Sequence, residues 1–174
     1  MKPPIKICHV NLATGFSGGE QQTLTLIKQQ VQLGHDLVVV CHPDSPLYKK
    51  TKALGCQLYP CKQFLRAHHA DITQEVVAIH VHEGRAIYWA LIQHLLTGTP
   101  YIVTRRIDNP MKNKYFLKLA YTKAKAVIGL STAIRDSILK RLPGIDVHVI
   151  PSSPVSYDID STKVKRLRKQ FEDK

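Results

Sequence analysis

Val76-Val77-Ala78-Ile79-His80-Val81-His82-Glu83-Gly84-Arg85 is an apolar run that turns abruptly into polar and special residues. Its apolar half is too continuous for a strand with one wet face. It reads as a strand buried on both faces, as in a parallel sheet with helices on either side. The polar half then stands at the strand's carboxyl end, where open α/β sheets bind ligands, and it carries His82, Glu83 and Arg85 there. Period-two geometry sets His80 and His82 on one face, His80 deeper and His82 nearer the edge.

The flanking sequence extends this pattern. Upstream, residues 5–10 predict a first strand and residues 18–33 a helix with Leu24, Ile27 and Val31 on one face, stopped by Gly34. Residues 37–41 predict a buried strand, 46–54 a short helix ending at Gly55, and 57–60 a short strand. Residues 62–75 show little periodicity and predict only a short helix around His68 and His69. Downstream, a helix over 85–96 turns Trp89, Ile92 and Leu96 inward and closes at Gly98. A strand over 101–104 follows, ending in Arg105, Arg106 and Asp108. Asn109-Pro110 reads as a cap with proline at the first helical position, so a helix is expected to about residue 124. A strand over 126–130, a helix capped by Ser131 to about 141 and a last strand over 147–150 complete the series. Strands and helices alternate with no hairpin dipeptide between strands, which predicts an α/β fold with a doubly wound parallel sheet. Residues 1–151 form this Rossmann-like unit, 152–160 read as a linker, and 163–169 as a basic helical piece.

At 174 residues and 44% hydrophobic, the chain has the size and composition of one globular domain. Its formal charge of +12 is unusual and unevenly spread: residues 1–104 hold nine Lys/Arg against six Asp/Glu, and residues 105–174 hold sixteen against seven. Such an excess favours an anionic partner: a nucleotide diphosphate, a membrane surface or nucleic acid. No helix-turn-helix, zinc-finger or RNP pattern supports nucleic acid. No run approaches the roughly 18 apolar residues of a membrane span, and no signal-peptide pattern opens the chain, so a cytoplasmic protein is expected. Cys8, Cys41, Cys56 and Cys61 form no CxxC pair and read as reduced structural thiols. A zinc site from Cys56, Cys61, His68 and His69 fits no common spacing, and no metal is expected.

Three segments carry chemistry. Gly15-Phe16-Ser17-Gly18-Gly19-Glu20 lets backbone N–H groups approach a phosphate at a helix N-terminus. It is neither GxGxxG nor a Walker loop, which removes support for nicotinamide binding or ATP hydrolysis. A capping box between Ser17 and Glu20 explains the same residues without a ligand, and both readings can hold. The second segment joins His82, Glu83 and Arg85 to Thr104, Arg105 and Arg106. Two neighbouring strand ends so furnished make an anion-recognising cleft; the alternatives are a core histidine bonded to Glu83 or the backbone, and solvated arginines. The third is the basic helix after Pro110, with Lys112, Lys114, Lys118, Lys123 and Lys125 near Tyr115, Phe116 and Tyr121. It either lies against anionic lipid or is a solvated helix packed on the sheet by Phe116, Leu119 and Ala120.

Taken together, SGGE at 17–20, HVHEG at 80–84, GTPYIVTRR at 98–106, AVIGLSTAIRDSI at 126–138 and VHVIP at 147–151 resemble the N-terminal domain of the retaining glycosyltransferases of family 4. The resemblance implies one Rossmann-like half of a GT-B fold, a nucleotide-sugar donor as substrate and no cofactor or metal. It implies that the backbone of Gly18 and Gly19 faces the donor phosphate or sugar, and that His82 is the catalytic residue nearest the reacting centre. Glu83, Arg85, Thr104, Arg105 and Arg106 would line the acceptor side. The acceptor would be a bacterial cell-surface glycan such as lipopolysaccharide, or a lipid-linked sugar, met at the inner face of the membrane. The family's C-terminal domain, which holds the nucleotide, is absent, so this piece alone is expected to be inactive. Where the family has Asn-Gly after the last strand, this chain has Pro151-Ser152-Ser153-Pro154, which implies a different hinge loop. The alternative is a non-catalytic module of the same architecture that associates with anionic membrane.

Overall fold

The computed structural model describes residues 3–109, 111–152 and 161–172. In chain order the elements are β1 (Lys6–Asn11), α1 (Gly18–Gln32), β2 (Asp36–Cys41), α2 (Pro46–Lys52), β3 (Gln57–Pro60), β4 (Val76–Val81), α3 (Ala86–Thr97), β5 (Tyr101–Arg105), α4 (Tyr115–Thr122), β6 (Ala126–Gly129), α5 (Thr132–Leu139), β7 (Val147–Val149) and α6 (Ser161–Glu172). The strands form a seven-stranded sheet in the order β3-β2-β1-β4-β5-β6-β7. Every neighbouring pair is parallel. This is the expected doubly wound α/β sheet.

Its two faces are built differently. On one, Val40, Val10, Val81, Val103 and Val127 stand in register across five strands. They join Ile87 and Ala90 of α3, Ala120 of α4, and Ile134 and Ile138 of α5 in one buried cluster. On the other face, Leu37, Val39 and Cys41 of β2 pack against Leu24 and Ile27 of α1 and Leu47 of α2. Across β1, β4 and β5 that second face turns polar: His9 partners His80 in register. α1 matches the change, with Leu24 and Ile27 facing the apolar half and Gln22, Thr25 and Gln29 lining a cleft over the polar half.

Four local expectations are corrected. α4 begins at Tyr115 rather than beside Pro110, which lies outside the described residues; Met111 is instead buried in the core, and residues 111–114 are irregular. Phe116 does not pack on the sheet but is 67% exposed, and Ala120 and Tyr121 make the contact. Leu96, in the last turn of α3, is 65% exposed, and the inward face is Ala86, Ile87, Trp89, Ala90 and Gln93. Residues 62–75 contain only a 3₁₀ turn at Ala70–Thr73. That segment is held by side chains of α3: Trp89 Nε1 donates to the Ala67 carbonyl at 3.2 Å, and Gln93 Nε2 donates to the His69 carbonyl at 2.8 Å. His68 stacks on Trp89 and is a packing residue. The 152–160 linker falls almost wholly outside the described residues. The basic piece at 163–169 lies within α6. The four cysteines are free thiols; burial pushes Cys41 up to about 12, which keeps it protonated and inert.

Candidate functional site

From β1 the chain moves outward through β2 to β3, then returns to place β4 on the other side of β1. The carboxyl ends of β1 and β4 therefore flank the switch point, where an open α/β sheet leaves a crevice. Asn11 ends β1, His82 follows β4, and Arg106 follows β5.

Three histidines, His9, His80 and His82, crowd this edge, all of them buried. His9 Nδ1 lies 2.8 Å from His82 Nε2, and His9 Nε2 lies 2.7 Å from Gln30 Oε1 of α1. His80 Nε2 is 2.7 Å from the Thr104 hydroxyl. Burial holds all three rings below the ordinary imidazole range, His9 at about 4. The neighbouring histidines lower His82 further, and Arg106 adds to the lowering at His80 and His82. The rings are neutral at pH 7. The expected order of depth is reversed: His82 is 4% exposed and His80 9%, because His9 and Arg106 cover His82 while His80 lines the cleft.

Arg106 Nη1 donates to the His82 carbonyl at 2.8 Å, Nη2 lies 3.1 Å from His82 Nδ1, and Nε donates to Gln22 Oε1 at 3.4 Å. Among the described residues no carboxylate forms an ion pair with it. Burial lowers its pKa, and Glu20 partly offsets this from a distance. Glu20 itself is buried, which alone would raise its pKa. Hydrogen bonds from the Ser17 hydroxyl at 2.7 Å, the Ser17 N–H at 2.8 Å and Asn11 at 3.5 Å outweigh burial and leave it lowered. The Ser17–Glu20 capping box is thus formed. It fixes the start of α1, with Gly18 facing open space and a Cβ at Gly19 falling 3.8 Å from Arg106 Cδ.

The other expected site residues divide. Thr104 and Arg106 join His80 in a cleft of about 250 Å³, closed on its far side by Ile128, Leu130 and Pro151. Arg105 turns to the opposite face, where its guanidinium reaches the Asn109 carbonyl and Tyr121 hydroxyl. Its Nε is buried without a partner. Glu83 caps α3, accepting the N–H groups of Arg85 and Ala86 at 2.8 Å each. Arg85 donates to the Leu12 carbonyl at 2.8 Å and so ties the loop after β1 to that cap. Reading the sequence missed His9, Gln22 and Gln30. The available signal was His9 and Asn11 on one face of an otherwise apolar strand.

The three imidazoles could converge on a cation, since their nitrogens lie within 4.8 Å of one another. The 2.8 Å between His9 and His82 is a hydrogen bond, shorter than the roughly 3.3 Å between two nitrogens on one tetrahedral zinc. A guanidinium against His82 opposes a second cation, and among the described residues no carboxylate orients any of the three rings. The residues do not fit a metal.

No curated protein matches the chain by sequence. Among solved structures, a glycosyltransferase from Rickettsia africae superposes with a TM-score of 0.73 at 17% identity, over 98% of this chain and 50% of that one. HepE of Anabaena, solved with UDP-glucose, gives 0.72 at 13% identity, over 97% and 50%. The lipopolysaccharide outer core galactosyltransferase WaaB gives 0.58 at 16%, over 88% and 47%. The chain thus spans about half the length of the structures it matches, and its sheet is a Rossmann-like half of their GT-B fold. A sequence family model, Glycosyltransferase Family 4, matches residues 16–153, the stretch that contains the α1 cap, the HVHEG edge and Arg106. The chain therefore belongs to glycosyltransferase family 4.

Proposed function

We propose that residues 1–151 are the acceptor-side domain of a retaining glycosyltransferase that uses a nucleotide sugar and a cell-surface glycan or lipid-linked acceptor. One observation carries this reading: Gly18 and Gly19 open α1 beside a half-buried arginine, Arg106, that forms no ion pair with a carboxylate among the described residues, at the switch-point edge. A donor diphosphate needs positive potential and close backbone approach, and this edge offers both. HepE's complex with UDP-glucose and WaaB's role in the lipopolysaccharide core support the donor and acceptor classes.

In this reading residues 152–174 are a linker with a basic segment, and a second Rossmann-like domain binds the nucleotide and closes over the cleft. The protein works in the cytoplasm, peripherally at the inner face of the membrane. Retention proceeds by front-face attack, the donor's own phosphate taking the acceptor proton. The chain's residues then orient and exclude water rather than supply a nucleophile. His82, covered by His9 and Arg106, acts from just behind the cleft wall near the reacting sugar; His80, Thr104 and Arg106 line the acceptor path, and Glu83 and Arg85 hold the loops between which it opens. Assays of sugar transfer and donor hydrolysis, with the 174-residue chain and with one continuing past Lys174, test this. Transfer is expected only from the longer chain; rapid turnover by the 174-residue chain defeats the two-domain account.

A second reading, a membrane-associating module without catalysis, has one observation in its favour. Ile107, Tyr115 and Phe116 are 60%, 75% and 67% exposed beside Lys112 and Lys114, on the sheet edge that bears Arg106, with Asp108 the acid among them. Apolar side chains among lysines suit an anionic interface. Sedimentation with anionic and with neutral vesicles decides: binding indifferent to lipid charge removes it.

A further inference from the structure

Arg106 can donate hydrogen bonds and cannot accept them. With its Nη2 3.1 Å from His82 Nδ1, that nitrogen must present a lone pair. A neutral His82 then carries its proton on Nε2, 2.8 Å from His9 Nδ1, which must accept it. His9 in turn carries its proton on Nε2 and donates to Gln30 Oε1 at 2.7 Å. Every proton in the row is settled by the guanidinium at one end. The carbonyl oxygen of Gln30 at the other end is the acceptor this order requires.

We infer that Arg106 and His9 are positioning residues: Arg106 sets the tautomer of His82, and His9 and Gln30 hold the ring in that tautomer from behind. The row crosses four elements, from the loop after β5 through the end of β4 to β1 and then α1, so it also fixes the width of the edge at the switch point. A ring with both nitrogens engaged cannot rotate, so His82 stands as a fixed dipole behind Arg106 and His80, which line the cleft. His82's part in glycosyl transfer rests on the function proposed above; the tautomer assignment does not, because it follows from the row itself.

Nitrogen-15 imidazole spectra of the 174-residue chain at neutral pH test the inference without any assay of transfer. His82 and His9 are expected as neutral rings with Nε2 protonated and Nδ1 bare. In Arg106→Met the donor is gone, Gln30 can turn its amide, and the row can run backwards. The tautomer ratio of His82 then shifts toward protonated Nδ1 by about tenfold or more, the effect of losing a hydrogen bond from a charged group. Arg106→Lys keeps a donor-only group and should restore the original ratio. Backbone amide spectra of β3, separated from the row by β2, show whether each variant keeps the fold. Protonated Nδ1 on His82 in the unaltered chain overturns the inference, whatever the variants do. So does an unchanged ratio in a folded Arg106→Met.

Discussion

At the level of single residues, burial of three neutral imidazoles makes stability depend on pH in a fixed direction. An unfolded histidine protonates near 6.5, while folded His9 resists until about 4 and His80 and His82 are lowered as well. Below about 6.5 the unfolded chain therefore binds more protons, so the stabilisation is complete above that pH and drains away toward about 4. For His9 alone the loss is about 3 kcal/mol. Glu20, with its lowered pKa, adds a further loss only at more acid pH. Urea midpoints measured between about pH 7 and about pH 5 should fall steadily, and a flat profile would show the rings are not held neutral. The glycines give a second expectation. A methyl at Gly18 meets nothing within 4 Å and one at Gly19 meets Arg106 at an ordinary contact distance. Gly18→Ala and Gly19→Ala should therefore change stability by no more than about 1 kcal/mol. If these glycines admit the donor, affinity for a nucleotide sugar in the longer chain should fall sharply in the same variants; calorimetric titration reads it. His82 was legible because Glu83, Gly84 and Arg85 follow it. His9 was not, since in Lys6-Ile7-Cys8-His9-Val10 a lone histidine looks like core, and only the register of β1 with β4 reveals its partners. Arg105 and Arg106 were legible as a pair but not as opposites, although adjacent residues at a strand end face opposite ways.

Among the elements, α3 shows how a helix can order a segment with no periodicity of its own. Gln93 is fully buried; its amide donates to the His69 carbonyl at 2.8 Å and to Thr73 Oγ1 at 3.0 Å, and its oxygen lies 3.2 Å from His68 Nδ1. Gln93→Leu keeps the volume and strands those groups, at a cost of about 2–3 kcal/mol. The urea midpoint and faster hydrogen exchange at Ile72 and Gln74 would register it; an unaffected midpoint would mean the segment is held by Trp89 alone. Such tertiary control explains why residues 62–75 resisted reading while the strands did not. A continuous apolar run such as Leu37-Val38-Val39-Val40 declares burial on both faces by itself. α4 failed in the other direction: Asn109-Pro110 is a strong local start signal, but burial of Met111 overrides it and moves the first turn to Tyr115. In α1 the apolar stripe was read correctly; Gln22 and Gln30 were missed because their partners are distant in sequence, Arg106 and Ser152 in the segments after β5 and β7 and His9 on β1.

On the scale of the whole molecule, charge and topology share an axis. The excess of sixteen basic over seven acidic residues lies in residues 105–174, which contribute the last residue of β5 and all of β6 and β7 to one side of the switch point. If the exposed Tyr115 and Phe116 meet an anionic interface, each neighbouring lysine should add about 1 kcal/mol, so Lys112→Gln and Lys114→Gln should each weaken vesicle binding about fivefold. Added salt should weaken it further, and binding that ignores both changes would mark these lysines as merely solvated.

Gln22 links this scale to the first. Its single amide oxygen accepts Ser152 Oγ at 2.8 Å and Arg106 Nε at 3.4 Å. Ser152 follows β7 where the chain leaves the sheet, so the exit and the guanidinium share one acceptor, one on each lone pair. Gln22 thereby joins the residue after Pro151 to the guanidinium that holds His82. If the chain turns at Pro151 when a second domain closes, the path of that movement into the domain runs through Ser152, Gln22 and Arg106 to His82, and Gln22→Leu would cut it.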